Sequence, residues 1–340
     1  MDFSRFPPRN LHLPIINAPM AGAAGGALAS AVSRAGGLGL VGVGHGASPE
    51  YIERELSIVA DNGNGAWGAG LMSWSLDRDS TALSKVLEYQ PPVVAFAAGD
   101  PTNHARTANE AGSAVVVQVG TSTEVMAAAA DRHIAAIVVR GSEAGGHGLN
   151  EVSTFTLLQF ALRNSSKPVI AAGGIGSPQG VAAALGAGAS AVWIGTRLIP
   201  TAESLASSDH KRRILRASAE DTVYTSVFDI ALGTPWPHEY GGRTLVNEVT
   251  AEYAGTAKEA ALRTASEQGS PEANELSSRV KAARASGDGS ASPLYAGQAA
   301  GLVANDSPAP DSDFPPAADV LAELGGFREC LANAARLWAV

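Results

Sequence analysis

Eight short apolar runs, separated by amphipathic stretches, organise the first two hundred or so residues of this chain. They cover residues 13–19, 38–43, 66–72, 93–97, 114–119, 135–139, 168–172 and 191–195. Within each run successive positions are mostly apolar, not alternately apolar and polar, which is the pattern of parallel strands buried on both faces. The stretches between them carry helix punctuation. Ser48-Pro49, Asp100-Pro101 and Ser177-Pro178 each put a capping side chain before a first-turn proline, and Thr121-Ser122-Thr123-Glu124 has the spacing of a capping box. Gly36, Gly112 and Gly186 are placed to stop three helices. Eight strand–helix units predict an α/β fold, the (β/α)₈ TIM barrel. A doubly wound open sheet, which usually has fewer strands, is the alternative.

After Thr196 the rhythm changes. Residues 200–312 are polar, alanine-rich and irregular, with helical stretches expected over 205–217 and 257–285, and residues 286–316 read as loop. Residues 317–337 predict one amphipathic helix that closes the barrel. The division expected is therefore a barrel over 1–200, a lid or small second domain over 201–312, and a C-terminal helix over 313–340 packing back on the barrel. A decorated last helical layer is the plainer account of 201–312.

Composition narrows the function classes. With 340 residues, 45% of them hydrophobic and 17% charged, the chain can bury a sizeable core. A formal net charge of -9 argues against a nucleic-acid partner, because phosphate binding needs a basic surface. Cys330 is the single cysteine, which fits a reducing compartment. The opening MDFSRFPPRN lacks an apolar signal core and no stretch approaches the length of a membrane span, so a cytoplasmic protein, monomer or homodimer, is expected.

The chemistry centres on Gly141-Ser142-Glu143-Ala144-Gly145-Gly146-His147-Gly148, a flexible, glycine-flanked loop after the sixth run that presents one side chain able to exchange a proton near neutral pH. Barrel ligands sit at the C-terminal strand ends, with phosphate commonly after strands seven and eight. There the chain has Ala172-Gly173-Gly174-Ile175-Gly176 before the helix start Ser177-Pro178, and Gly195-Thr196-Arg197. Glycine N–H groups and a helix N-terminus can cradle a phosphate, and Thr196 adds a hydroxyl. Asn17-Ala18-Pro19-Met20-Ala21-Gly22 ends the first run in a flat apolar shelf suited to an aromatic ring system, though a tight turn explains it too. A phosphate cradle opposite a flat shelf fits flavin mononucleotide (FMN). No GxGxxG motif of the Rossmann type is present, and no histidine–carboxylate spacing proposes a metal.

Taken together, the 17–22 motif, the His147 loop, Ala171-Ala172-Gly173-Gly174-Ile175 and Gly195-Thr196-Arg197 resemble the nitronate monooxygenase family, formerly called 2-nitropropane dioxygenases. The resemblance covers residues 10–200 and extends more weakly to 227–243 and 293–298. It implies a TIM barrel with a second domain after strand eight and non-covalent FMN. Gly173, Gly174, Gly195 and Thr196 would hold the phosphate and Pro19 and Met20 flank the ring, with further cofactor contacts at Ala18, Gln118, Gly146, Ala172 and Gln298. It also implies His147 as catalytic base in the oxidation of alkyl nitronates, and of nitroalkanes in some members, by O₂ to carbonyl compounds and nitrite. Two positions depart from the family pattern. Gln118 stands where some relatives have a lysine, giving an amide donor but no full charge. Strand three ends in Met72-Ser73-Trp74-Ser75 without the asparagine of other branches.

The same scaffold also serves FMN-dependent enoyl-acyl-carrier-protein and NAD(P)H:quinone reductases. A non-catalytic flavin- or phosphate-ligand-binding barrel and a cofactor-free phosphosugar barrel are readings of other classes. His45, Trp74, Trp236 and Tyr295 are candidates for the substrate pocket, and His238 is a weaker one. Glu143 is expected to order its loop, and His104 and His133 to lie at the surface. His12 and His210 carry no signal.

Overall fold

The computed structural model describes residues 11–63, 65–303 and 314–338. Eight parallel strands form the barrel: β1 (Ile15–Asn17), β2 (Gly39–Gly42), β3 (Trp67–Met72), β4 (Val93–Ala97), β5 (Ala114–Val119), β6 (Ile134–Arg140), β7 (Val169–Ala172) and β8 (Ala191–Ile194). Neighbours in sequence pair in parallel, and β8 pairs with β1, Ile16 lying opposite Trp193. Closure between β1 and β2 rests on a single Ile16–Leu38 bridge. The fully buried Asn17 completes it: its Oδ1 accepts from Leu40 N–H at 2.7 Å and its Nδ2 donates to Leu40 C=O at 2.8 Å, so the amide acts as one more peptide unit of the ladder.

Alternation explains why the strands read as unbroken apolar runs. One set of side chains (Ile16, Leu40, Ala95, Val116, Val138, Ile170, Trp193) fills the barrel interior. The other set (Ile15, Val41, Ala69, Val94, Val117, Val139, Val192) packs on helix residues such as Leu28, Ile52, Leu157 and Val181. Both faces are sealed from water, so both are predominantly apolar.

The caps act largely as expected. Ser48 and Ser177 accept from Tyr51 and Gly180 N–H, Thr121 and Glu124 form the capping box, and Asp100 receives Thr102 N–H at 2.9 Å. Three expectations need correction. Gly186 is the last residue of its helix (Pro178–Gly186), and the turn is made by Gly188, whose φ of +112° suits glycine. The stretch 257–285 is two helices, Ala257–Glu267 and Pro271–Ser286, because Ser270-Pro271 starts a new cap. The terminal stretch is also two helices, Ala317–Leu324 and Phe327–Trp338, broken at Gly325-Gly326. The first packs against Gly26–Arg34 and the second against Pro178–Gly186, so chain distant in sequence supplies the eighth helical layer. Arg197, just after β8, donates to Glu323 at 2.5 Å.

The region after β8 has a core of its own, including Val227, Phe228, Val249, Leu276 and Val280. It also contributes two strands, Thr222–Thr225 and Gly242–Leu245, to a three-stranded antiparallel sheet. The third strand is Gly146–His147. Among the described residues no helix is long and apolar enough to cross a membrane.

Candidate active site

The histidine expected on a flexible loop is instead a strand residue. His147 lies opposite Gly242 and Gly146 opposite Arg243, and Gly148 N–H donates to Gly241 C=O at 3.2 Å. The preceding turn is fixed from inside the barrel. Arg140, the last residue of β6 and only 4% exposed, donates to the carbonyls of Ala144, Gly145, Gly146 and Leu149 at 2.8–3.3 Å. Burial lowers its pKa to about 10, which leaves it cationic at neutral pH. Glu143 orders the same turn, its Oε2 accepting from both the N–H and the hydroxyl of Thr154 at 3.0 Å. Arg243 Nε donates to Ser142 C=O at 2.9 Å, and Tyr224 Oη donates to Gly148 C=O at 2.9 Å.

The imidazole is held as firmly as its backbone. His147 Nε2 is 2.8 Å from Oδ1 of Asp229, a buried carboxylate on the short helix Val227–Leu232. Assigned from that hydrogen bond, Nε2 carries the hydrogen and Nδ1 the lone pair. Trp236 lies parallel to the ring at 3.9 Å and 4°, and Tyr295 is tilted against it at 4.9 Å. Burial pushes the Tyr295 hydroxyl pKa well above its usual value, with Asp229 adding to the shift, so Tyr295 is a neutral wall.

Four of the expected pocket residues therefore join His147 in one aromatic run. Trp236 continues to Trp74 at 4.8 Å, and Trp74 to His45 at 4.8 Å. His45 itself is exposed and its Nδ1 meets Ser75 Oγ at 2.8 Å. His238 is exposed. His104, expected at the surface, is 9% exposed; its Nε2 meets Asp77 at 2.8 Å and its ring packs toward Phe96, which turns it inward.

The residues expected to hold the cofactor gather at the same mouth. A Cβ on Gly195 would lie 3.5 Å from both Ala18 Cβ and Met20 Sδ, so these three meet. Pro19 is seated on β3, where a Cβ on Gly70 would come within 2.2 Å of its ring. Gly173 and Gly174 turn with φ of +110° and +68°, and Ala172 C=O accepts from Gly141 N–H and Thr154 Oγ1. Thr196 Oγ1 accepts from Gly297 N–H at 2.9 Å, which ties the 293–298 segment to β8. Gln118 is half-buried near the end of β5, on the inward register of Val116. The Gln298 side chain is exposed, and its backbone N–H donates to Glu143 C=O at 2.9 Å. A full positive charge, Arg140, lies on the neighbouring strand β6.

Asp229 and Arg140 are the residues that sequence reasoning missed. A lone aspartate in an apolar helix, within a segment of weak resemblance, was the available signal for the first. For the second it was an arginine ending a wholly apolar strand.

Comparison with known proteins agrees with this geometry. The family model described as nitronate monooxygenase matches residues 65–311. Nitronate monooxygenase npaC of Metarhizium robertsii is 33% identical over 263 residues, 68% of this chain and 72% of that protein. Nitronate monooxygenase of Pseudomonas aeruginosa is 33% identical over 62% of this chain and 73% of its own length. Among solved structures, FabK from Thermotoga maritima superposes with a TM-score of 0.74 at 30% identity, covering 95% of each chain. Nitroalkane oxidase from Streptomyces ansochromogenes superposes at 0.72 and 26% identity, covering 96% of this chain and 98% of that one. A (β/α)₈ barrel with glycine turns at the ends of β7 and β8 and a histidine held over its mouth, this chain belongs to the nitronate monooxygenase family of oxidoreductases.

Proposed function

We propose that this protein binds FMN and uses it to oxidise alkyl nitronates, and nitroalkanes by way of prior deprotonation, with O₂ to a carbonyl compound and nitrite. The observation that carries the reading is the 2.8 Å pair between His147 Nε2 and the buried Asp229 at the mouth of the barrel. A histidine so oriented is a base with a fixed lone pair, which is what removal of a carbon-bound proton requires.

The mouth fits the cofactor. Gly173 and Gly174, in left-handed conformation, can turn backbone N–H groups to a phosphate that side chains at those positions would obstruct. The Ala18-Pro19-Met20 shelf offers the flat apolar surface that an isoalloxazine needs. Ser73 Oγ and Trp74 Nε1, both buried at the end of β3, have no hydrogen-bond partner among the described residues. Unpaired buried polar atoms at a barrel mouth suit a site completed by a ligand. When bound, FMN would supply the electron chemistry that no side chain here can perform.

The chain's own residues do the rest. His147 Nδ1 takes the α-proton of a neutral nitroalkane. The resulting imidazolium is balanced by Asp229 and faced by the Trp236 ring, whose π-cloud attracts a cation. The same cation can pair with an oxygen of the nitro group. Trp74, Trp236 and Tyr295 exclude water from the reacting carbon, while the described part of the segment after β8, residues 201–303, acts as the lid that carries Asp229 and Trp236 to the barrel. Anaerobic mixing of the FMN-loaded protein with propyl nitronate is expected to bleach the flavin rapidly, whereas NADH bleaches it slowly. Rapid bleaching by NADH alone would replace this reading with that of a reductase on the same scaffold. Absence of flavin absorption after FMN addition would remove both.

A further inference from the structure

Arg140 is buried, cationic and without a carboxylate within salt-bridge distance among the described residues, an arrangement that normally destabilises a fold. Glu143, a carboxylate whose field reaches Arg140, is engaged by Thr154. What surrounds the guanidinium instead is a shell of main-chain oxygens. Nη2 alone donates to three of them, the carbonyls of Ala144 at 3.1 Å, Gly145 at 3.3 Å and Gly146 at 2.8 Å, and Nη1 donates to that of Leu149 at 3.0 Å. Successive carbonyls converging on one point are how a backbone turn solvates a cation, and here the cation is covalently part of β6. The fit is reciprocal. Gly148 has φ of +155°, and a Cβ there would lie 2.6 Å from Nη1 and 2.7 Å from Cζ, so the turn accepts the arginine only with glycine at 148. His147 lies between Gly146 and Gly148, and its ring direction follows from how those two are held.

We propose that Arg140 is an internal cation around which the 144–149 turn is folded, and that it is a positioning residue for His147, acting through main-chain carbonyls. As a statement about catalysis this rests on the base role proposed above for His147. As a statement about the turn it does not, and the two are tested separately.

Arg140→Gln keeps an amide donor but removes the charge, and Arg140→Ala opens a space lined by the same four carbonyls. In the FMN-free protein, hydrogen exchange at the amides of residues 144–149 is expected to accelerate at least tenfold in Arg140→Ala. Guanidinium chloride, far below denaturing concentration, is expected to restore protection, while sodium chloride at equal ionic strength does not. In the loaded enzyme, kcat with a nitroalkane should fall by about 100-fold with little change in KM, as for a base moved off its line of attack. Guanidinium should return much of it. Should Arg140→Ala not fold, the same exchange and kcat comparisons are made on Arg140→Gln against Arg140→Lys, with the lysine variant the nearer to wild type. Unchanged exchange in the variants, or protection restored equally by sodium, overturns the cation role. Altered, guanidinium-rescued exchange with unchanged kcat on a nitroalkane that the wild type turns over overturns the positioning role. If wild type turns over no nitro compound, only the proposed function falls, and the exchange experiment still decides for or against the cation.

Discussion

Replacing Asp229 by asparagine tests the assignment of His147 most directly, because the change is isosteric and touches one hydrogen bond of the base. The amide can turn its NH₂ toward Nε2, which then becomes the acceptor and leaves Nδ1 bearing the hydrogen, so the base is lost without moving the ring. The carboxylate that balances the imidazolium is lost as well. Both partners are largely buried, with side-chain exposures of 13% and 8%, so the interaction is weakly screened. Unit charges about 4 Å apart at an effective dielectric of about 20 attract by about 4 kcal/mol, and at about 1.4 kcal/mol per factor of ten that is about 10³ in rate. The loss falls on substrates that must give up a proton. Oxygen consumption is therefore expected to drop about 10³-fold with a neutral nitroalkane and much less with the pre-formed nitronate of the same carbon skeleton. Equal losses on the two substrates, or none, would refute the role given to the pair, and an unchanged melting temperature would show that the fold is not the cause.

Three further outcomes follow from other parts of the structure. Asn17→Leu strands the buried Leu40 N–H and C=O at the seam of the barrel, and urea unfolding should show a loss of about 3 kcal/mol; a loss below about 1 kcal/mol would mean the seam does not depend on the amide. His210, whose ring Nε2 is buried without a partner among the described residues, has its pKa lowered from 6.5 to about 4 by burial. Below 6.5 the unfolded chain binds a proton that the folded chain refuses, so stability falls as pH drops from 6.5 toward 4, by roughly 3 kcal/mol in all. Melting curves across that window should be flatter for His210→Gln, and parallel curves would contradict the assignment. Gly174→Ala forces a side chain into a left-handed turn at φ of +68°, at a cost of about 1–2 kcal/mol. FMN fluorescence titration should then show roughly tenfold weaker binding, and unchanged affinity would remove Gly174 from the cradle.

How much of this was legible in the chain depended on how local the cause was. The barrel was, because a strand sealed on both faces is apolar over most of its length, and all eight strands fall within or close to the expected runs. Their ends were less so: the first run reached from 13 to 19, but Pro14 and Pro19 cannot donate to a ladder and β1 keeps only Ile15–Asn17. The mouth was legible where glycine and proline announce a turn, as at 172–174 and 17–20. His147 stood out by its flanking glycines, yet those same glycines suggested mobility. Gly148 serves instead to let Arg140 approach. Asp229 was hidden because the contact that gives it meaning spans 82 residues. Nothing in a six-residue helix says which distant ring it will face. His104 misled for the same reason: a polar helix looks exposed until Asp77 and Phe96 are seen beside it.

The pairing of Gly146–His147 with Gly242–Leu245 has a consequence for the order in which the protein comes into being. A chain leaving the ribosome completes all eight barrel strands by residue 194, while the strand that aligns the histidine and the helix bearing its aspartate are still unmade. With His147 as the base we propose, the nascent barrel carries it without its aligning strand or its aspartate until the last third of synthesis. On that proposal, a flavin bound early would meet no competent partner until the region that carries Asp229 is also in place.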